Sequence, residues 1–164
     1  MLCFETSKID QITDNLWLGD LEAAENVEDL KSKGIKKVLS IMRGYFPKYE
    51  EKDNIIHKTL DIDDYPGQNI IQYFGECLHF INGDEKILVH CGAGVSRSSS
   101  FVIAFLMWKK KMSFDDALKF VKEKRRVVCP NDGFQEQLKI FEKKLIENNY
   151  DIDKINFKDI KWES

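Results

Sequence analysis

Residues 86–100 read KILVHCGAGVSRSSS, and they decide how this chain folds. Residues 86–90, with the apolar run ILV at 87–89, are typical of a buried strand. Residues 91–96 are typical of a glycine-containing turn, and the segment from Arg97 is typical of an apolar helix. A loop that leads from a strand into a helix N-terminus can turn successive backbone N–H groups toward one centre, where the helix dipole adds positive potential. The stretch therefore predicts a seat for a phosphate dianion.

Three side chains of this stretch have the chemistry of phosphoryl transfer. Cys91 stands at the first loop position, where the amides and the dipole favour thiolate over thiol, so it is the candidate nucleophile. Arg97 begins the helix, from where its planar guanidinium can bind two phosphate oxygens. Ser98 places a hydroxyl near the sulfur, which can stabilise a departing thiolate. The expected phosphate-binding residues are Gly92, Ala93, Gly94, Val95, Ser96 and Arg97.

Each of these residues also has a purely structural interpretation. A cysteine after a strand is often a small buried hydrophobe, and an arginine early in a helix is often a surface charge. The catalytic interpretation is favoured because all the elements coincide where strand meets helix. His90 keeps two interpretations: it orients the loop by hydrogen bonding, or it is a core histidine with satisfied hydrogen bonds.

The remaining periodicity predicts an α/β fold. Short β-type runs cover residues 16–18, 37–41, 55–60 and 86–90. Helical patterns cover residues 21–33, 69–81, 97–111 and 113–126, and a last one follows Asn131 as N-cap. Strands and helices alternate and are then followed by helices only. This order indicates a central mixed sheet flanked by helices, with the phosphate-binding loop between a buried strand and the central helix.

The composition narrows the classes of function. A net charge of -3 supplies no basic field for nucleic acid or anionic lipid. The longest strongly apolar run, residues 101–108, is far shorter than the roughly 20 residues of a membrane span. Residues 1–8 lack the apolar stretch of a signal peptide. We therefore expect a cytoplasmic protein, with the nucleus as a second compartment, that is a monomer and binds neither nucleic acid nor membrane.

The cysteines do not form a metal-binding pattern. None of the spacings between them is the short paired spacing of a zinc site, so free thiols and no metal are expected. The four cysteines are Cys3, Cys77, Cys91 and Cys129.

Residues 90–98, HCGAGVSRS, resemble the HCxxGxSRS pattern of the protein-tyrosine-phosphatase superfamily, and in particular of the small dual-specificity protein phosphatases. The similarity extends from about Ile12 to Leu145. It includes NLWLG at residues 15–19 and PNDGF at residues 130–134. The resemblance implies about five strands wrapped by helices, no metal or other cofactor, and a two-step reaction through phosphocysteine. It also implies a catalytic domain of residues 1–148 followed by a tail of residues 149–164.

Such a reaction needs a general acid to protonate the leaving oxygen. Asp61, Asp63 and Asp64 follow the predicted strand at residues 55–60, although an acidic surface turn punctuated by Pro66 is the structural alternative. In the family, the acid lies a few residues before the helix that corresponds to residue 69 onward. The resemblance therefore assigns the role to Asp64. Asp63 is the runner-up, because adjacent aspartates leave the register open.

The resemblance implies hydrolysis of phosphotyrosine and phosphoserine or phosphothreonine in phosphorylated proteins. One alternative is a phosphatase for a phosphoinositide or an RNA 5′ phosphate, but residues 92–96 lack the lysines that relatives acting on polyanionic lipids tend to carry. A second is a phosphoprotein-binding pseudophosphatase, although cysteine, arginine and acid are all present. A third, sulfur transfer of the rhodanese type, does not explain Arg97 and Ser98 together with the acidic loop.

The tail, residues 149–164, mixes aromatic and branched residues with charges at irregular spacing. It either packs back on the domain or binds a partner, and packing is the simpler interpretation.

Overall fold

The structure is a computed structural model that describes residues 7–163. Five strands of these residues form one mixed sheet in the order β1-β2-β5-β3-β4. β1 is antiparallel to β2, and the other neighbours are parallel. The strands are β1 Ile9–Thr13, β2 Leu16–Gly19, β3 Ile35–Met42, β4 Ile56–Asp61 and β5 Lys86–His90. The predicted mixed sheet of about five strands flanked by helices is confirmed.

Strand β1 is the element that the sequence pattern does not predict. It is an edge strand of mixed polarity, in which only Ile12 is fully buried. A strand with one buried side chain has no clear alternation of apolar and polar residues, so its pattern resembles that of a loop.

Six α-helices lie in the described part of the chain. They are α1 Leu21–Glu25, α2 Val27–Ser32, α3 Phe74–Ile81, α4 Arg97–Lys109, α5 Phe114–Lys124 and α6 Asp132–Glu147. The prediction of one helix over residues 21–33 is wrong, because Asn26 divides it. The backbone N–H of Asn26 closes α1 on Ala23, and its side chain accepts the Asp29 N–H to begin α2. The helix predicted over residues 69–81 begins instead with a 3-10 turn, Ile71–Tyr73.

Alternate residues of the sheet face two hydrophobic clusters. In β5, Ile87 and Val89 face the larger cluster, which α3, α4, α5 and α6 complete, while Leu88 faces the smaller one beneath α1 and α2. α4 is buried through most of its length, as predicted for a central helix. A strand covered on both faces cannot shift its register by one residue without exposing apolar side chains, so the start of α4 is fixed relative to the sheet.

The parallel pairing of β3, β4 and β5 places their carboxyl ends at one edge of the sheet. The chain leaves β3 after Met42, β4 after Asp61 and β5 after His90. Loops that follow parallel strands meet at that edge, which is where ligands bind in open α/β sheets. The topology alone therefore brings the acidic loop beside the loop of residues 91–96.

Beyond α6 the chain packs back on the domain. Ile152, Ile155 and Phe157 are buried, and the Phe157 ring lies 5.8 Å from that of Phe141. These residues therefore pack on the domain, in agreement with the simpler of the two interpretations. The division into residues 1–148 and 149–164 remains a prediction, and residues 1–6 and 164 lie outside the described residues.

The three described cysteines, Cys77, Cys91 and Cys129, are free thiols. The expectation of a free thiol at Cys3 falls outside the described residues.

Gly133, in the first turn of α6, allows the acidic loop to approach this helix closely. A Cβ atom built at Gly133 would overlap the backbone of Pro66. The two segments can therefore touch only because residue 133 has no side chain.

We predict that Gly133→Ala destabilises the fold by about 1–3 kcal/mol, because overpacking forces two backbones apart. In an ordinary helix the same change stabilises by roughly 0.5–1 kcal/mol. The measurement is the free energy of unfolding in urea, with Glu136→Ala on the exposed face of α6 as control. A gain in stability for Gly133→Ala would contradict the close approach.

Candidate active site

The loop of residues 91–96 joins β5 to α4 and places a sulfur at its foot. Cys91 is only 2% exposed, and its Sγ atom lies 3.0 Å from the Oγ atom of Ser98 in the first turn of α4. Gly94 has a φ of 67°, in the left-handed region, and a Cβ atom there would stand 2.6 Å from the Gly19 carbonyl oxygen. Only glycine meets both requirements without strain.

The carbonyl groups of residues 92–96 all accept hydrogen bonds from the surrounding protein. These bonds turn the carbonyls away from the loop centre, and the N–H groups of a tight loop point to the opposite side. Because the carbonyls have partners elsewhere, the amides of the loop are the groups that would bind an anion above the sulfur. The donors to the carbonyls are the Leu21 N–H for Gly92, Arg125 for Ala93 and Gly94, the Cys129 N–H for Val95, and the Ser99 and Ser100 hydroxyls for Ser96.

Arg125 supports this loop, and sequence reasoning missed it. Its guanidinium is 3% exposed, donates to the carbonyls of Ala93 and Gly94 at 3.3 and 3.0 Å, and pairs with the Asp10 carboxylate at 2.8 Å. A buried guanidinium is costly unless it is fully paired, and here the carboxylate and the carbonyls supply the partners. A basic residue after an amphipathic helix normally faces solvent, so the sequence held no signal for this role.

Arg97 extends from the first residue of α4 over the loop. Its Nη1 atom donates to the Ile62 carbonyl at 3.2 Å, and its Nη2 atom would lie 3.5 Å from a Cβ atom built at Gly92. Its buried Nε atom has no hydrogen-bond partner among the described residues. A buried donor without a partner costs free energy, so this N–H is a group that an anion in the loop could satisfy.

His90 is buried, hydrogen-bonded and in contact with the loop, so the structure combines its two interpretations. Its Nδ1 atom lies 3.2 Å from the Cys91 carbonyl oxygen, and its Nε2 atom lies 2.6 Å from the Ser40 hydroxyl, which is 2.7 Å from Nε2 of His57. A carbonyl only accepts, so Nδ1 carries the proton and Nε2 accepts from Ser40. Burial lowers the pKa of His90 to about 4, so the ring is neutral near pH 7. Neither Ser40 nor His57 was expected from the sequence.

The three candidate acids have different partners. Asp61 and Asp63 face Arg43, with carboxylate to guanidinium distances of 3.9 and 3.5 Å. Asp64 is exposed and instead accepts a hydrogen bond of 2.9 Å from the side-chain amide of Asn131.

Asn131 connects the acidic loop to the phosphate-binding loop. Its side chain donates to Asp64, its backbone N–H donates to the Ser96 hydroxyl at 2.9 Å, and its Oδ1 atom accepts the Phe134 N–H at the start of α6. The sequence predicts this cap, but not the bridge. The structure therefore brings Cys91 and Ser98 into contact and ties Asp64 to the loop through one residue.

Two further observations concern metal binding and membrane insertion. No group of three or more histidine, cysteine or acidic side chains within residues 7–163 is arranged to bind a metal ion. Over the same residues, each helix is too short or too polar to cross a bilayer.

Comparison with known proteins gives one consistent family. The family model described as dual specificity phosphatase, catalytic domain, matches residues 16–144. Mouse dual specificity protein phosphatase 19 is 40% identical over 131 residues, which cover 77% of this chain and 59% of that protein. Dual specificity protein phosphatase 1B of Arabidopsis thaliana is 35% identical over 144 residues, which cover 85% of each chain. The chain spans little more than half the length of the mouse relative.

A solved structure shows the same fold. The human tyrosine phosphatase-like serine/threonine/tyrosine-interacting protein is 34% identical and superimposes with a TM-score of 0.79, covering 84% of this chain and 97% of that one. The family match includes the loop of residues 91–96, Arg97 and the acidic loop. The resemblance seen in the sequence is therefore confirmed, and this chain belongs to the dual-specificity phosphatase family of the protein-tyrosine-phosphatase superfamily.

Proposed function

We propose that this chain is an active phosphatase, which hydrolyses phosphotyrosine and phosphoserine or phosphothreonine in phosphorylated proteins through a phosphocysteine intermediate. The observation that carries the proposal is the 3.0 Å contact between Cys91 Sγ and Ser98 Oγ, at the foot of a loop whose carbonyls all point outward. A sulfur beneath a ring of amide donors and at a helix N-terminus is stabilised as thiolate. The same donors bind the non-bridging oxygens of a phosphate.

In the first step, the Cys91 thiolate attacks phosphorus. The P–S bond forms as the P–O bond to the substrate breaks, and Asp64 gives its proton to the leaving oxygen. The loop amides and Arg97 stabilise the charge that spreads over the three equatorial oxygens. The free Nε–H of Arg97 supports this role, because the ligand would supply the missing acceptor.

In the second step, a water molecule attacks phosphorus and the P–S bond breaks. The Asp64 carboxylate, left unprotonated by the first step, accepts the proton of the water. The sulfur leaves as thiolate, and the Ser98 hydroxyl donates a hydrogen bond to it. Inorganic phosphate is released and the enzyme returns to its starting state.

The surroundings of the loop support a protein substrate with either kind of side chain. The loops of residues 43–54 and 61–69 follow β3 and β4 at the same edge of the sheet as Cys91. We expect these short loops to form the walls of a shallow pocket. Tyr45 and Tyr65 on these loops are 51% and 52% exposed, so their rings are available to a phosphotyrosine ring. Shorter phosphoserine and phosphothreonine chains also reach the sulfur in a shallow pocket.

We predict that Cys91→Ser abolishes hydrolysis of a small aryl phosphate while the protein stays folded and still binds phosphate. A serine hydroxyl is similar in size to the thiol but is far less ionised. Turnover is measured by release of the aryl alcohol, and anion binding by calorimetry with inorganic phosphate.

The matched control is Cys129→Ser, which changes an exposed thiol close to the loop and should keep full activity. Residual turnover in Cys91→Ser would remove Cys91 from the mechanism. A wild-type protein that binds phosphoprotein without turnover would support the pseudophosphatase alternative instead.

We predict that Asp64→Asn lowers kcat by about 10²–10⁴ on a phosphotyrosine peptide and much less on an activated aryl phosphate. General-acid help matters most where the leaving oxygen is basic. Asp63→Asn, which only weakens an exposed ion pair with Arg43, should change kcat little. The reverse pattern would move the acid to Asp63.

We predict dual specificity with a preference for phosphotyrosine, because phenolate is a better leaving group than an alkoxide and its ring can lie against Tyr45 or Tyr65. The measurement is kcat/KM on matched peptides that differ only in the phosphorylated residue. Hydrolysis of phosphotyrosine alone would indicate a deep pocket. Failure on all three peptides with turnover of a phosphoinositide or RNA phosphate would reject the protein substrate.

A further inference from the structure

The acidic loop receives a hydrogen bond from the segment that follows α6. The indole N–H of Trp162 donates to the carbonyl oxygen of Pro66 at 3.0 Å. Pro66 lies two residues after Asp64, and Gly133 of α6 approaches the same carbonyl so closely that a Cβ atom would overlap it. The loop is therefore held at Pro66 between α6 on one side and Trp162 on the other.

The segment that carries Trp162 is itself anchored in the core. Ile152, Ile155 and Phe157 are buried, and the Phe157 ring fills the space beside Gly75, where a built Cβ atom would lie 3.0 Å from it. Trp162 is the fifth residue after Phe157, so its Cα atom cannot lie more than about 18 Å from that of Phe157. Such tethering gives the indole a high effective concentration at Pro66.

Apart from the hydrogen bond that Asn131 donates to Asp64, the loop has few other restraints near its acid. Asp64, Tyr65 and Pro66 are exposed, so burial does not fix their positions. Within the loop, the Asp63 N–H donates to the Gln68 side chain at 3.2 Å and the Gln68 N–H donates to the Tyr65 carbonyl at 3.0 Å. Single hydrogen bonds of this kind contribute modestly to stability, so one additional bond changes how often the loop occupies the position that it has in the structure.

We infer that Trp162 is a positioning residue for the general acid, acting through Pro66 to hold Asp64 where it meets the leaving oxygen. This inference rests on the proposed function, in which Asp64 donates that proton. Proton transfer requires a heavy-atom distance of about 2.6–3.2 Å, so a loop that samples other positions loses rate in proportion to the time spent there. The loss falls only on substrates that need the acid.

The first test compares two substrates. Trp162→Ala lowers kcat about tenfold on a phosphotyrosine peptide and less than about twofold on an activated aryl phosphate, whose leaving group needs little protonation. Trp162→Phe keeps an aromatic ring but removes the N–H donor, so its loss lies between wild type and Trp162→Ala. Lys161→Ala, at the exposed neighbouring residue, is the matched control and leaves both rates unchanged. An equal loss on both substrates, or no loss on either, would overturn the inference.

The second test combines two substitutions. Added to Asp64→Asn, Trp162→Ala causes no further loss on the phosphotyrosine peptide, because the group that it positions is already absent. Losses that multiply independently would show that Trp162 acts elsewhere.

The third test does not depend on activity. Hydrogen exchange of the Asp63 and Gln68 amides becomes several-fold faster in Trp162→Ala, while the amides of α4 keep their protection. Unchanged exchange at Asp63 and Gln68 would reject the contact as a restraint on the loop. If the wild-type protein hydrolyses neither substrate, the proposed function fails and the exchange measurement still decides whether Trp162 restrains the loop.

Discussion

The hydrogen bonds that hold the carbonyls of residues 92–96 outward are the constraint on which the site depends. A tight loop presents either its amides or its carbonyls to its centre, and only the amides attract an anion. Arg125 contributes to this orientation, because it binds two of the carbonyls and is buried against Asp10. Edge strand β1, which adds little to the core, is therefore needed for the electrostatics of the loop, since it supplies the carboxylate.

The polar chain from His57 through Ser40 to His90 holds the other end of the loop. In neutral His90 the Nδ1–H donates to the Cys91 carbonyl and Nε2 accepts from Ser40, and protonation of Nε2 would remove the second of these bonds. Burial lowers the pKa of His90 to about 4, below the roughly 6.5 of an unfolded histidine. Between these values the unfolded chain binds a proton that the folded protein excludes. The contribution of neutral His90 to the free energy of unfolding is therefore fully present above pH 6.5 and declines as pH falls toward 4.

The sequence predicts the parts of the site that lie within one continuous segment. Strand β5, the loop and the start of α4 are adjacent in the chain, so Cys91, Arg97 and Ser98 could be placed from local pattern alone. Arg125, Ser40 and His57 reach the loop from other elements, and no local pattern shows which polar residue will be buried there. The same limit explains the divided helix at Asn26, because a single capping side chain outweighed a continuous helical pattern.

The two loops of the proposed site, residues 91–96 and residues 61–69, differ in how firmly the fold holds them. The loop proposed to bind phosphate is held by buried hydrogen bonds, as electrostatic preorganisation requires, since donors that must reorient give up much of their effect. The proposed acid lies on a largely exposed loop, which contacts this rigid part at several points. These contacts include the Arg97 bond to Ile62, the Asn131 bond to Asp64 and the approach of Gly133 to Pro66. Restraint by a segment remote in sequence would thus let the stability of the tail influence proton transfer without altering phosphate binding.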